Sequence, residues 1–458
     1  MTPRIVLLLA LCAAIPAWSQ ATGTGTDNPG TSTGTDEQPD NPLANDGMLT
    51  PPPVSGQTYP ILTGSEERRN FMTLGATANV AYDDNVEGGY TGVSKGDMIY
   101  SLWPTISVNR SSTRLREVLN YSPGFTFYQP STVFNAMDHN LTADLQYQMG
   151  THTVLDLSDN FDRSSSLFNQ PFGTSQGISG GVPTQTSGVL PPFADRLMNT
   201  AAAQLTNQTG TNGMIGLSAN FSNLDYPDNR QVTGLYNATS YQGGAFVTQR
   251  LSRRQYLGAN AQHGKVVSYV NGVDNVMKQD NIFGFYTIYL RALPQSTFSI
   301  SITAGPEHYS IIQYPEALLS QWTPAGTVSL GWQAHHSSAS ASITRAVTGG
   351  GGLPGAYEED GAEIQFRRQL RPTWDVSFSG GYTQNKSATP QFAFVVPGGH
   401  TLAAGVSASH MLTKNLKIDV GYNWMDQVYK AVVSLSPIPI SNREFCAVSY
   451  HFTRPLGR

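Results

Sequence analysis

From Phe71 to its end, this chain is a series of runs in which every second residue is apolar. The clearest is "DHNLTADLQYQMGTH", Asp138 to His152. His139, Leu141, Ala143, Leu145, Tyr147 and Met149 alternate with Asp138, Asn140, Thr142, Asp144, Gln146 and Gln148. A period of two is the signature of a strand with one oily and one wet face. The same pattern opens the series in "MTLGATANVAY", where Met72, Leu74, Ala76, Ala78, Val80 and Tyr82 share a face. It returns in 98–108 and in the run holding Leu115, Leu119, Tyr121, Phe125 and Phe127.

Beyond the Asp138 run, the rule predicts strands near 152–163, 197–207, 214–225, 238–250, 255–267, 280–292, 297–310, 325–336, 338–347, 361–370, 373–385, 400–412, 416–428 and 442–453. The total is about 18, with 16 as the neighbouring even count. Tight connections ("RSST", "GTH", "NQTGTNG", "SRR", "LPQS", "HHSS", "RPT", "TKN") alternate with longer ones, the longest at 164–196. Soluble strands average about 5–6 residues, whereas a tilted membrane crossing takes about 9–11. Strand length, alternating connections and an even count together predict an all-β fold: a transmembrane antiparallel up-and-down β-barrel. Closure follows because an open sheet edge is untenable in hydrocarbon. A soluble sandwich or solenoid is the competing architecture, and no fixed short repeat supports a solenoid.

Composition fits this picture. Only 13% of the 458 residues are charged, and the net charge is -5. That balance offers no electrostatic basis for nucleic-acid binding. "MTPRIVLLLALCAAIPAWSQ" has a positive Arg4, a short apolar core and a small-x-small site at Ala17-Trp18-Ser19. It predicts a cleaved signal peptide over residues 1–19 and export to the bacterial outer membrane. Cys12 follows Leu11, where a lipoprotein site would need a small residue. Residues 20–66 are rich in Thr, Gly, Pro, Asn and Asp. Such a segment cannot repay its ordering entropy, which predicts a disordered periplasmic tail ahead of a barrel over 67–458.

Charge is sorted by sign. Short turns and their strand ends carry Arg110, Arg114, Arg116, Arg250, Arg253, Arg254, Arg291, Arg367, Arg368, Arg371, Lys414 and Lys417. The longer connections and their strand ends carry Asp83, Asp84, Glu87, Asp97, Asp225, Asp228, Asp274, Asp280, Glu307, Glu316, Glu358, Glu359 and Asp360. A basic periplasmic rim suits anionic phospholipid, and an acidic outer rim suits divalent ions held with lipopolysaccharide. Aromatics near strand ends (Tyr82, Trp103, Tyr121, Phe127, Tyr147, Phe161, Trp332, Trp374, Tyr422, Trp424, Tyr450, Phe452) are expected in interfacial girdles.

About 18 strands enclose an aqueous lumen. Asn140, Thr142, Asp144, Gln146 and Gln148, then Asp156, Ser158, Asn160 and Asp162, are candidate lining residues. Such walls suit neutral or weakly cationic hydrated solutes, sugars included. The 164–196 segment is a candidate constriction loop, because its Phe168, Phe172 and Phe193 are awkward when exposed. No enzyme is expected: His139 beside Asp138 is the best catalytic pairing, and it lacks a nucleophile motif. No spacing points to a metal site, a phosphate loop or any other cofactor. "HH" at 335–336 reads as a turn.

"TLGATANVAYDDNVEGG", with Tyr82-Asp83-Asp84-Asn85-Val86, resembles the opening strand and loop of β-barrel porins and exopolysaccharide-locus outer-membrane barrels of Gram-negative bacteria. "LQYQMGTHTVLDLSDNFDRSS" resembles their paired strands around a short turn. The last strand, "REFCAVSYHF", resembles the C-terminal signal read by the barrel-assembly machinery, with Cys446, Val448, Tyr450 and Phe452 in alternation. It departs from that pattern in being followed by "TRPLGR". The resemblance implies a diffusion or export pore for surface polysaccharide or another polar solute. Its implied partners are outer-membrane lipid and lipopolysaccharide, the assembly machinery and polysaccharide-export components. The alternative is a non-conducting structural or adhesive surface barrel that acts through its extracellular loops.

Overall fold

A computed structural model describes residues 70–86, 93–129, 131–164, 195–227, 235–270, 273–293, 296–313, 317–349, 352–353, 356–388, 398–429 and 440–456. The signal-peptide and tail expectations (1–19, 20–66) and the constriction residues Phe168, Phe172 and Phe193 lie outside them.

Eighteen strands run in chain order: β1 (Phe71–Asp83), β2 (Asp97–Ser111), β3 (Leu115–Gln129), β4 (Ala136–Gln148), β5 (Thr153–Ser164), β6 (Arg196–Thr209), β7 (Gly213–Asp225), β8 (Ala238–Ser252) and β9 (Gln255–Val270). Then follow β10 (Val273–Leu293), β11 (Ser296–Gln313), β12 (Ala317–Ala334), β13 (Ser337–Thr348), β14 (Tyr357–Arg371), β15 (Trp374–Ser387), β16 (Gly399–Met411), β17 (Leu416–Tyr429) and β18 (Ile440–Pro455). Each pairs antiparallel with its neighbours, and β1 pairs with β18, so the sheet closes on itself. Both ends of the described chain meet there, with Phe71 opposite Pro455. We call that end, which also holds most of the tight connections, the turn end, and the opposite one the loop end.

Which face is inside follows from contacts between distant strands. Leu224 of β7, Tyr357 of β14 and Tyr429 of β17 belong to one buried cluster. Side chains of non-adjacent strands in a closed barrel meet only across its interior. Register then carries the assignment around the wall, since directly opposed residues point the same way. Leu224 opposes Met198, Met198 opposes Asp162, and Asp162 opposes Asn140. The other face carries the exposed large apolar side chains, such as Leu74, Leu102, Leu217, Ile302, Val328 and Ile343. An oily outside and a polar inside invert the soluble arrangement.

The seam explains the Tyr82–Val86 motif. Asp83 accepts hydrogen bonds from Asn85 N (2.9 Å), Ser441 Oγ (2.8 Å) and Arg443 Nε (3.1 Å). Asp84 accepts from Asn442 N (2.8 Å) and Nδ2 (2.6 Å), and Asn85 Nδ2 donates to Ile440 O (2.8 Å). The motif therefore clasps the first strand to the last at the loop end. Beside it, Ala81, Val86, Ile99, Tyr128, Phe445 and Ala447 form an apolar cluster. Val448, Tyr450 and Phe452 face outward, opposite Ala78, Ala76 and Leu74.

Two expectations need correction. The connections β9–β10 and β11–β12 are not long loops: the strands continue to Val270 and Val273, and to Gln313 and Ala317. Asp274 therefore sits in β10, not in a connection, while Asp280 and Glu307 lie in β10 and β11 as the predicted runs have them. The alternation of oily residues stops there because the sheet has left the apolar belt, whereas backbone pairing needs no lipid and continues. Secondly, Trp103 is not a girdle residue. It faces inward, buried, with its indole over Gly124 of β3, where a Cβ would collide with the ring.

Candidate functional site

The site is the lumen. On β4 and β5, Asn140, Thr142, Asp144, Gln146, Gln148, Asp156, Ser158 and Asn160 all share the inward parity. They form cross-strand ladders: Gln146 Nε2 donates to Asp156 Oδ1 at 2.8 Å. The amide row continues on β7–β9, with Asn220 Nδ2 to Gln242 Oε1 (3.4 Å) and Gln242 Nε2 to Gln262 Oε1 (2.8 Å). Hydroxyl pairs extend it, at Thr77–Ser449 (2.9 Å), Thr287–Ser301 (2.9 Å) and Ser377–Ser407 (2.6 Å). Some inward charges are paired in place, while Asp144, Asp156 and Glu307 share the inward face without a salt bridge among the described residues. Arg196 Nη2 lies 3.3 Å from Asp162, Lys417 Nζ 2.8 Å from Asp419, and Arg443 Nε 3.1 Å from Asp83. The wall is thus rich in neutral donors and acceptors, with scattered acids among them.

At the loop end the lumen is crossed. Gly349, just past the end of β13, lies inward against β9, where a Cβ on it would be 2.7 Å from Val266 Cγ1. Further on, Gly352 O accepts from the backbone N of Tyr236, which precedes β8, at 2.8 Å. Gly352 has φ +102°, which only glycine adopts readily, and it packs against the Tyr226 ring. Leu353 is fully buried among Leu224, Tyr226, Leu235, Tyr357 and Tyr429. Asn385 Nδ2 donates to the Tyr429 hydroxyl at 3.1 Å, anchoring the far side. Burial raises the Tyr226 phenol pKa, which keeps this contact neutral, while nearby Arg196 opposes the shift. This crossing was not anticipated. Its sequence signal, a Gly run with one apolar residue at Leu353, is common in ordinary loops.

The catalytic pairing does not assemble. Adjacent strand residues point to opposite faces: Asp138 is buried inside, while His139 is outside, its Nδ1 2.9 Å from the Tyr121 hydroxyl. His335 and His336 occupy a tight turn between β12 and β13.

No family model and no curated protein matches the chain. Among solved structures, it is similar to Pseudomonas aeruginosa OccK9 (OpdG), with 11% identity, 84% of this chain and 98% of that one covered, and a TM-score of 0.43. It is similar to the outer membrane protein OpdK of the same organism, with 10% identity, 84% and 98% covered, and a TM-score of 0.42. It is also similar to Acinetobacter baumannii OccAB2, with 9% identity, the same coverages and a TM-score of 0.42.

Proposed function

We propose that this protein is an outer-membrane channel for polar solutes, with its turn end in the periplasm and its loop end outside. One observation carries the reading: a closed 18-stranded barrel with an apolar outer belt and an inner wall lined by ladders of polar side chains. Barrels of this size hold water rather than a packed core. The mostly neutral wall favours uncharged or weakly cationic hydrated solutes, carbohydrate among them. Surface polysaccharide is one such solute, and its export is the narrower form of the proposal. The β13–β14 crossing sets the width of the outer mouth.

Reconstitution in planar bilayers tests this. The full chain should give discrete conductance steps, and a variant with the β13–β14 connection shortened between Thr348 and Tyr357 should give larger ones. A correctly folded barrel that shows no open state in either form sinks the channel reading. It would leave the non-conducting surface barrel in its place.

A further inference from the structure

The outer wall of β9–β12 carries two polar rows above its belt. In the first, His263, Asp280, His308 and Trp322 lie side by side on consecutive strands. Asp280 is engaged by both histidines, at 2.6 Å from His263 Nδ1 and 3.6 Å from His308 Nδ1, and His308 Nε2 contacts Ser320 Oγ at 2.8 Å. In the second row, one step nearer the loop end, Lys265 and Lys278 are directly opposed, flanked by Tyr241 and Ser310. Both lysines are exposed. Among the described residues no salt bridge joins either of them to an acidic side chain. Like charges placed opposite each other across a strand pair are destabilising. Nothing in the packing of the sheet calls for them.

Their height supplies the reason. Trp332 and Trp322 both face outward on β12, ten residues apart. At about 3.3 Å per residue and a tilt of about 40°, they stand roughly 25 Å apart along the membrane normal, the height of a barrel's apolar belt. Along each strand the lysine row lies two residues, about 5 Å, beyond the row that holds Trp322, toward the headgroup phosphates. Below the histidine row the wall presents Ile282, Pro306 and Pro324, which can lie along acyl chains.

We propose that Lys265 and Lys278 clamp a phosphate of a glycolipid in the outer leaflet, with the Ser310 and Ser320 hydroxyls within the same patch. The site rests on the outer-membrane orientation proposed above.

The folded full chain in detergent can be titrated with diphosphorylated lipid A, and bound lipid counted by native mass spectrometry. The wild type should retain one lipid A per barrel. Lys265→Gln with Lys278→Gln should weaken retention about tenfold or more, and Lys265→Arg with Lys278→Arg should keep it. Without any substitution, dephosphorylated lipid A should bind the wild type no better than diphosphorylated lipid A binds the Gln pair. Equal retention by wild type and the Gln pair overturns the site. Displacement of the glycolipid by millimolar inorganic phosphate would assign the lysines to free phosphate and overturn the lipid as ligand. Conductance is an independent readout, since neither lysine faces the lumen. A barrel that conducts but ignores lipid A refutes this inference alone, and one that binds lipid A without conducting refutes the channel alone.

Discussion

Val328→Arg and Ser329→Arg place the same charge one residue apart on β12, at the same depth and on opposite faces. Val328 points outward, 40% exposed, between Ile302 of β11 and Ile343 of β13. Ser329 points inward, between Ser301 and Ser342. Val328 stands four residues from Trp332 and six from Trp322, so it lies near the middle of the belt. An arginine on the lipid face at the midplane costs about 2–4 kcal/mol, a factor of roughly 30 to 1,000 in the folding equilibrium. The inward arginine keeps its hydration, so its cost should stay near 1 kcal/mol or below. Denaturant unfolding of the barrel in lipid vesicles, followed by tryptophan fluorescence, measures both. Ser329→Arg should also move ion selectivity toward anions in bilayer recordings. Equal losses, or a larger loss for Ser329→Arg, would mean that the two faces have been exchanged.

Three further predictions concern closure and the mouth. Asp83→Ala removes one partner of a buried ion pair at the seam, where Asp83 and Arg443 side chains are 4% and 5% exposed; such a loss costs about 3–5 kcal/mol, and the barrel should lose its resistance to unfolding in SDS at room temperature. Gly352→Ala strains a backbone at φ +102° and drives a Cβ against Tyr226; at about 1–3 kcal/mol it should loosen the crossing and raise single-channel conductance, with the rest of the barrel intact by circular dichroism. Gly124→Val displaces the Trp103 indole, so one tryptophan should become more accessible to aqueous quenchers.

Strand number, strand order and the two faces could be read from the chain because they are local. A period of two is written into about ten consecutive residues wherever lipid lies on one side and water on the other. The run from Asp138 illustrates this, since its alternation alone separates Leu141, Ala143 and Leu145 from Asn140, Asp144 and Gln146. Other features depended on where the wall goes and what it meets. Above the belt both faces are wet, so β9–β12 could extend without any oily period, and their charged ends looked like loops. Trp103 has girdle chemistry, yet its indole lies inside because Gly124 on the next strand leaves room for a ring. Tyr82–Val86 could be recognised as a motif, but its partners Ser441, Asn442 and Arg443 lie more than 350 residues away. The crossing of the mouth is likewise a meeting of Leu353, Tyr226 and Tyr429 from three parts of the chain. The closed barrel and its oily outside are legible residue by residue in the sequence, because the lipid acts on each strand separately. How that barrel is latched and narrowed is not legible there, because those contacts form between residues that only closure brings together.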